Sequence, residues 1–309
     1  MTSPAADSVA DPVADSGADP GSGPPPPGEF PPPGDDAVLL IRLAGPLQSW
    51  GVRSAFNRRE TSPEPTKSGV VGLLAAAAGV AREDPLGELP ELRLGIRVDQ
   101  PGTLLRDYHT VGDYRGRPLP QSGVTAKGTQ KPTSPVKHTH VTTRYYLQDA
   151  VFLAAVAGPR ALLSALDLAL RAPAFPLALG RRSCPPTQPV SLGLRETGLE
   201  EALTEQPWLV TRRAGEQYAS RLGRERGLGR PLYPARIDCS VTLEDPDGDD
   251  IAHDAPVSFD PYARRFTSRR VRHGWLSVPT GFPNPDSDPD SDPDASGEAG
   301  HDPFALLGW

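Results

Sequence analysis

Between Val38 and Val278 the hydrophobic and polar positions change period several times, and each change marks an element. Val38–Leu43 is a short apolar run, interrupted only by Arg42 and bounded by Gly45-Pro46, which reads as a strand buried on both faces. Lys67–Val80 predicts a helix, with Thr66 or Ser68 as N-cap and Gly79 near its C-terminus. Leu92–Val98 predicts a second strand. Thr142–Ala157 predicts a third, in which Arg144, Tyr146 and Gln148 alternate with Tyr145 and Leu147 before the run turns apolar. Pro159–Arg171 predicts a second helix with Pro159 at N1, and Phe175–Leu179 a fourth strand.

The order β-α-β-β-α-β is the ferredoxin-like, or split βαβ, pattern, so the expected class is α+β with an RRM-like domain. Strands two and three of that pattern should form a hairpin, yet the 43 residues from Asp99 to Val141 lie between them. That insertion is rich in Gly, Pro and basic residues, and it predicts a protruding basic arm. Beyond residue 180 the pattern is less regular: a short helix at Gly198–Glu205, a strand at Ile237–Leu243 and a basic strand at Phe266–Val278. A smaller, irregular β-rich C-terminal half, residues 181–281, is therefore expected.

Composition sets the ends apart from the body. Residues 1–36 consist mainly of Pro, Gly, Asp, Ala and Ser, and residues 282–309 carry an Asp-Ser-Asp-Pro run from Asp286. Neither stretch can bury enough apolar surface to offset its ordering entropy, so both are expected to be disordered tails around a 37–281 domain. Each tail carries seven acids and no Lys or Arg. Removing those fourteen from 39 acids leaves 25 against 32 Lys and Arg, so the formal net charge of −7 conceals a body of +7. A basic body points to a polyanion partner, with nucleic acid the usual one.

Two cysteines, Cys184 and Cys239, make no disulfide framework. The first residues have neither the basic nor the apolar region of a secretory signal, and no apolar run has the ~18 residues of a membrane span. The expected location is the cytoplasm.

Several stretches invite chemistry. Lys67-Ser68-Gly69 suggests a P-loop, but Pro63, Pro65 and Thr66 stand where its glycines belong. What remains is a basic helix N-terminus with Gly69 and Gly72, which serve either close ligand approach or helix packing. Arg181-Arg182 in a turn suits bidentate phosphate contact, or else a solvated surface. Arg106, Tyr108, His109, Tyr114 and Arg115 mix rings with guanidinium groups, as recognition of unpaired RNA bases requires. Tyr108 and His109 with Lys127 or Lys137 also offer acid, base and cation for metal-independent RNA cleavage. His138-Thr139-His140 gives two imidazoles without a third ligand, and the Asp286–Asp294 ladder lacks the Gly and Glu of a calcium loop. No metal site and no cofactor is expected. Arg264–Arg272 is basic on both strand faces, so one face should meet RNA or an acidic neighbour.

Taken together, Leu43–Gly51, Thr66–Leu74, Leu105–Val111, Leu179–Pro185 and the Phe266–Arg272 strand resemble the CRISPR-associated CasD family, and in its order. The likeness covers about residues 37–280. It implies a non-catalytic subunit of a type I-E Cascade surveillance complex, which grips the guide RNA (crRNA) 5′ handle and caps the backbone filament in antiviral defence. It also implies contacts with the backbone subunit and the large subunit, with target DNA reached only through the complex. The Gln48–Gly51 turn and Lys67-Ser68 would form the handle surface, Arg106–Val111 and the following arm a thumb within 99–141, and Arg181–Cys184 the RNA side. The candidate RNA-binding residues are accordingly Gln48, Ser49, Trp50, Arg53, Lys67, Ser68, Arg106, Tyr108, His109, Tyr114, Arg115, Arg144, Arg181, Arg182 and Ser183, with none catalytic. A related subfamily processes RNA, so an endoribonuclease acting on CRISPR repeats is the alternative.

Overall fold

The protein is described by a computed structural model over residues 36–51, 57–113 and 138–282. Residues 1–35 and 283–309 of the tails, Arg53, Tyr114, Arg115 and the Pro118–Lys137 part of the arm lie outside the described residues, whereas Asp36 already belongs to the first strand. In chain order the elements are β1 (Asp36–Ala44), β2 (Leu47–Gln48), β3 (Arg58–Arg59), α1 (Lys67–Ala78), β4 (Arg93–Gln100), β5 (Thr103–Asp113) and β6 (His138–Gln148). They continue with β7 (Val151–Pro159), α2 (Arg160–Arg171), β8 (Ser191–Arg195), α3 (Leu199–Glu205), α4 (Arg212–Glu225), β9 (Arg236–Glu244), β10 (Asp250–Ser258) and β11 (Arg265–Pro279).

The class is α+β. An antiparallel sheet of seven strands runs in the order β10-β11-β9-β4-β7-β1-β8. Its central strands β1 and β7 are apolar at every turn of the pleat because both faces are covered. Leu39, Ile41, Leu43, Phe152, Ala154 and Val156 pack with α1 and α2, while Val38, Leu40, Leu153, Ala155 and Ala157 pack with Ala202 and Leu203 of α3. Each fully buried Leu or Ile contributes about 1.5–3 kcal/mol of transfer free energy, which fixes the strand between two layers.

Helix α1 starts at Thr66, whose Oγ1 accepts from the Gly69 amide at 3.2 Å, and ends at Gly79 in the left-handed region. Its last carbonyls, Ala76 and Ala77, accept from the amides of Phe175 and Ala174. Those bonds account for a departure from the expected pattern. Phe175–Leu179 is no strand: Pro173 and Pro176 supply no N–H, and the segment caps α1 instead of joining the sheet. The strand beside β1 is β8, twelve residues further on.

One other expectation is corrected. Thr142–Ala157 is two strands in two sheets, broken at Asp149, which takes φ 56°, a left-handed conformation that Asp tolerates. The C-terminal half continues the same sheet, because β9 pairs with β4 and extends it through β11 and β10. A buried ion pair ties this extension down. Arg97 Nε and Nη2 donate to Asp99 at 2.6 and 2.8 Å, and its remaining N–H groups cap the carbonyls of Leu203, Gln206 and Pro207 after α3.

The second sheet is small. β6 lies at its centre, paired with β5 along one edge and with β2 and β3 along the other. The β5–β6 ladder runs from Thr103↔Gln148 to Asp113↔His138, eleven residues a side and thus about 35 Å long. The first part of the expected arm is therefore a two-stranded ribbon.

Candidate nucleic-acid interface

β6 organises the basic and aromatic side chains. Arg106 stands opposite Tyr145 and Tyr108 opposite Thr143, so these four share one face of the ribbon. β3 brings Arg58 over the Tyr145 ring, with its guanidinium carbon 5.3 Å from the centroid. Tyr108 is 62% exposed, and Arg106 and Arg58 are also open to solvent. Arg58 also pairs with Glu60 at 2.7 Å, an exposed pair that solvent screens. His109 and Arg144 lie on the opposite face, paired with Thr142 and Asp107. Arg144 Nε is buried without a hydrogen-bond partner.

Arg181 holds the adjoining turn against this sheet. Its Nη1 donates to the Tyr145 carbonyl at 3.2 Å, its Nη2 to the Arg59 carbonyl at 3.0 Å, and its guanidinium lies 4.8 Å from the Tyr146 ring. Gly180, at φ 84°, passes so close to the Ser49 carbonyl that no side chain fits there. Arg182 and Ser183 are consequently presented outward beside β6, while Arg181 positions them and is itself half-buried.

The turn after β1 is structural. Gln48 is fully buried; its Nε2 donates to the carbonyls of Leu43 (3.0 Å) and Ala150 (2.7 Å), and its Oε1 accepts from Trp50 Nε1 at 3.1 Å. Ser49 donates to the Tyr145 carbonyl. Trp50 is fully buried against Gly69, where an added Cβ would stand 2.6 Å from the indole. These three expected ligand contacts are corrected: they join the two sheets and leave no polar atom free for RNA. Gly69 serves packing.

Lys67 is corrected too. Its Nζ pairs with Glu244 at 2.7 Å, its amide donates to Asp254 at 2.6 Å, and it is 3% exposed. A carboxylate of the protein thus already occupies the helix N-terminus, where an anion would otherwise bind. Ser68 is half-buried, its hydroxyl 3.3 Å from that of Thr66. The basic β11 strand finds its acidic neighbours inside the chain: Arg269 pairs with Asp254 and Glu244, and Arg272 with Asp245 and Glu200. The two hydrogen bonds that Arg272 donates to Glu200 and Asp245 raise its pKa, while the bond from the Asp247 amide and the one from Arg272 lower that of Asp245.

With this geometry in view, the comparisons with known proteins are decisive. A family model described as CRISPR-associated protein (Cas_Cas5) matches residues 38–272. The chain belongs to the CRISPR-associated Cas5 family. A similar relative is the CRISPR system Cascade subunit CasD of Escherichia coli strain K12, 38% identical over 175 residues, or 51% of this chain and 70% of that protein. Among solved structures, a chain of a CRISPR RNA-guided surveillance complex is similar at 34% identity and TM-score 0.57, covering 78% of this chain and 91% of that one. A second, titled Crystal structure of Cas protein, is 39% identical with TM-score 0.56, covering 80% of this chain and all of that one.

Within this Cas5 chain the candidate interface gathers Arg58, Arg106, Tyr108 and Tyr145 on one ribbon face, with Arg182 and Ser183 at its side. Sequence reading named the ribbon residues but not Arg58 or Tyr145 as ligands. The dibasic Arg58-Arg59 was the available signal. Its use depends on parallel pairing with Thr143 and Arg144, which lie far along the chain. Among the described residues no cluster of three or more His, Cys, Asp or Glu suited to a metal ion occurs, and no helix is long and apolar enough to cross a membrane.

Proposed function

We propose that this chain is a non-catalytic guide-RNA-binding subunit of a type I-E CRISPR Cascade complex, holding the crRNA 5′ handle and capping the backbone filament. The observation that carries the reading is the shared ribbon face of Arg58, Arg106, Tyr108 and Tyr145. The exposed Tyr108 ring takes an unpaired base, and the guanidinium groups take the phosphates beside it. Family membership, and the naming of the CasD relative as a Cascade subunit, supply the biological setting. The strand order β4-β7-β1-β8, with α1 after β1 and α2 after β7, supports a ferredoxin-like frame beneath the ribbon. The β5–β6 ribbon serves as the thumb that meets a neighbouring backbone subunit, with the large subunit as a further partner and target DNA met only through the complex.

The alternation of a strand favours binding over cleavage. Tyr108 and His109 are consecutive in β5 and so point to opposite faces, a poor arrangement for an acid and a base that must reach one phosphate. Purified protein incubated with repeat RNA in EDTA should leave the RNA intact while shifting it in a gel in preference to a scrambled sequence. A specific cut that disappears in Tyr108→Phe or His109→Ala would establish the endoribonuclease instead.

A further inference from the structure

An open groove of about 380 Å³ lies on the seven-stranded sheet, outside the ribbon, and is lined by Glu64, Ser240, Thr242, His273 and Trp275 with the backbone of Val241 and Gly274. The volume falls in the ~300–1,000 Å³ range of small-ligand sites. The register explains its make-up. Thr242 pairs with His273 and Ser240 with Trp275, so all four emerge on the face that α1 covers further along, at Ile96 of β4. Leu276, Val278, Cys239 and Val241 point to the opposite face, into the core beneath α3. Beyond the end of α1 the polar face is left open, and Glu64 of the loop before α1 closes one side.

Two features distinguish this groove from an ordinary surface crease. Trp275 is 74% exposed and sets a large planar apolar face in the lining of the groove, open to stacking. Glu64 is half-buried, and the one side-chain hydrogen bond it receives among the described residues comes from Thr242 Oγ1, at 3.1 Å to Oε2. Thr242 Oγ1 in turn lies 2.9 Å from His273 Nδ1, and His273 Nε2 lies 3.3 Å from Asp250. The Thr242 hydroxyl thus lies between the imidazole and Glu64, a groove-lining residue whose Oε1 takes no side-chain hydrogen bond among the described residues. No Lys or Arg lines it, so the groove is not built for a phosphate.

We propose that this groove is a nucleobase subsite, which takes one unpaired guanine with its ring on Trp275 and its Watson–Crick edge on Glu64. A carboxylate only accepts, and the adjacent N1–H and N2–H donors of guanine match it bidentately, as no single edge of adenine, cytosine or uracil does. Burial raises the Glu64 pKa against the single bond from Thr242, and the guanine edge supplies further donors. The Ser240 hydroxyl is available to the remaining polar atoms of the base. The assignment rests on the RNA-binding reading above for the source of the base, but not on the ribbon residues.

The test uses full-length protein and free nucleosides, which carry no phosphate, observed by saturation-transfer NMR. Guanosine should give the strongest signals, unchanged between low and high salt. Trp275→Ala should abolish them, and Glu64→Gln should weaken guanosine binding about tenfold, the value of one bidentate pair. Equal signals in wild type and Trp275→Ala, silence from all four nucleosides, or occupation of the groove by a peptide in their place overturns the subsite. Silent nucleosides with intact binding of repeat RNA sink the subsite alone. Trp275-dependent guanosine binding by a protein that ignores RNA would keep the subsite and sink the RNA-binding reading.

Discussion

The guanidinium of Arg58 lies over the half-buried ring of Tyr145, 5.3 Å from its centroid, on the same side of the sheet as the exposed Tyr108 and Arg106. Exposed cations beside a ring that is free to stack are the local pattern of single-stranded RNA grips. Tyr108→Ala should weaken binding of repeat RNA by ~1–3 kcal/mol, the worth of one base stack. Arg58→Ala should instead flatten the dependence of log affinity on log salt by about 0.7, one phosphate contact on a single strand. Fluorescence anisotropy at three or four salt concentrations separates the two effects. Equal affinity and slope in both variants would remove the ribbon face from the interface.

The sequence revealed more of the frame than of the site, for a physical reason. Buried strands and capped helices are written in local pattern, and β1, α1, β4, α2, α3, β9 and β11 all appear near their expected positions. Residues such as Gln48, Trp50 and Lys67 looked like ligands because polar and aromatic side chains beside glycines resemble a binding loop. Burial alone reverses that reading, and burial is a property of the folded chain. Gln48 reaches Ala150, and Lys67 reaches Glu244, across separations that no window of sequence spans. Strand β10 and helix α4 were not anticipated, since their polar surfaces hide the periodicity.

Lys67 provides a sharp test of this reversal. Its side chain is 4% exposed and its ammonium group is paired with Glu244, so Lys67→Met leaves a carboxylate in the interior. Arg269 remains 3.6 Å from that carboxylate and softens the loss. The variant should lose about 3 kcal/mol of stability, the lower part of the range for breaking a buried pair. Urea denaturation measures it, and the RNA affinity of the folded protein should stay at the wild-type value. A large affinity loss without destabilisation would restore Lys67 as a ligand.

Neither cysteine should react in the native protein. Burial, followed by the charge of Asp99, pushes the Cys239 pKa up to about 12, and burial also raises that of Cys184. Thiolate is the reactive form, and both side chains are under 5% exposed. Iodoacetamide at mildly alkaline pH should leave native protein unlabelled by mass spectrometry and label both sites in denaturant. Rapid native labelling of Cys184 would show that the Arg181–Cys184 turn opens.

Glu64 connects stability with the proposed subsite. Burial is the main cause of its raised pKa, opposed by Thr242, His273 and Arg269 and reinforced by Asp254. The folded state therefore favours the protonated carboxyl. Its contribution is fully present below the ordinary value of 4.5 and is lost as pH rises through the higher folded value. Glu64→Gln keeps an acceptor for Thr242 and cannot ionise. Wild type and variant should have matching urea midpoints in acid, and the variant should become the more stable as pH rises toward neutrality. Midpoints that separate in acid and converge near neutrality would contradict the sign of the shift. If the same variant is both the more stable protein and the weaker guanosine binder, an ionisable group at this position works against the fold. Its presence then has to be explained by the ligand it receives.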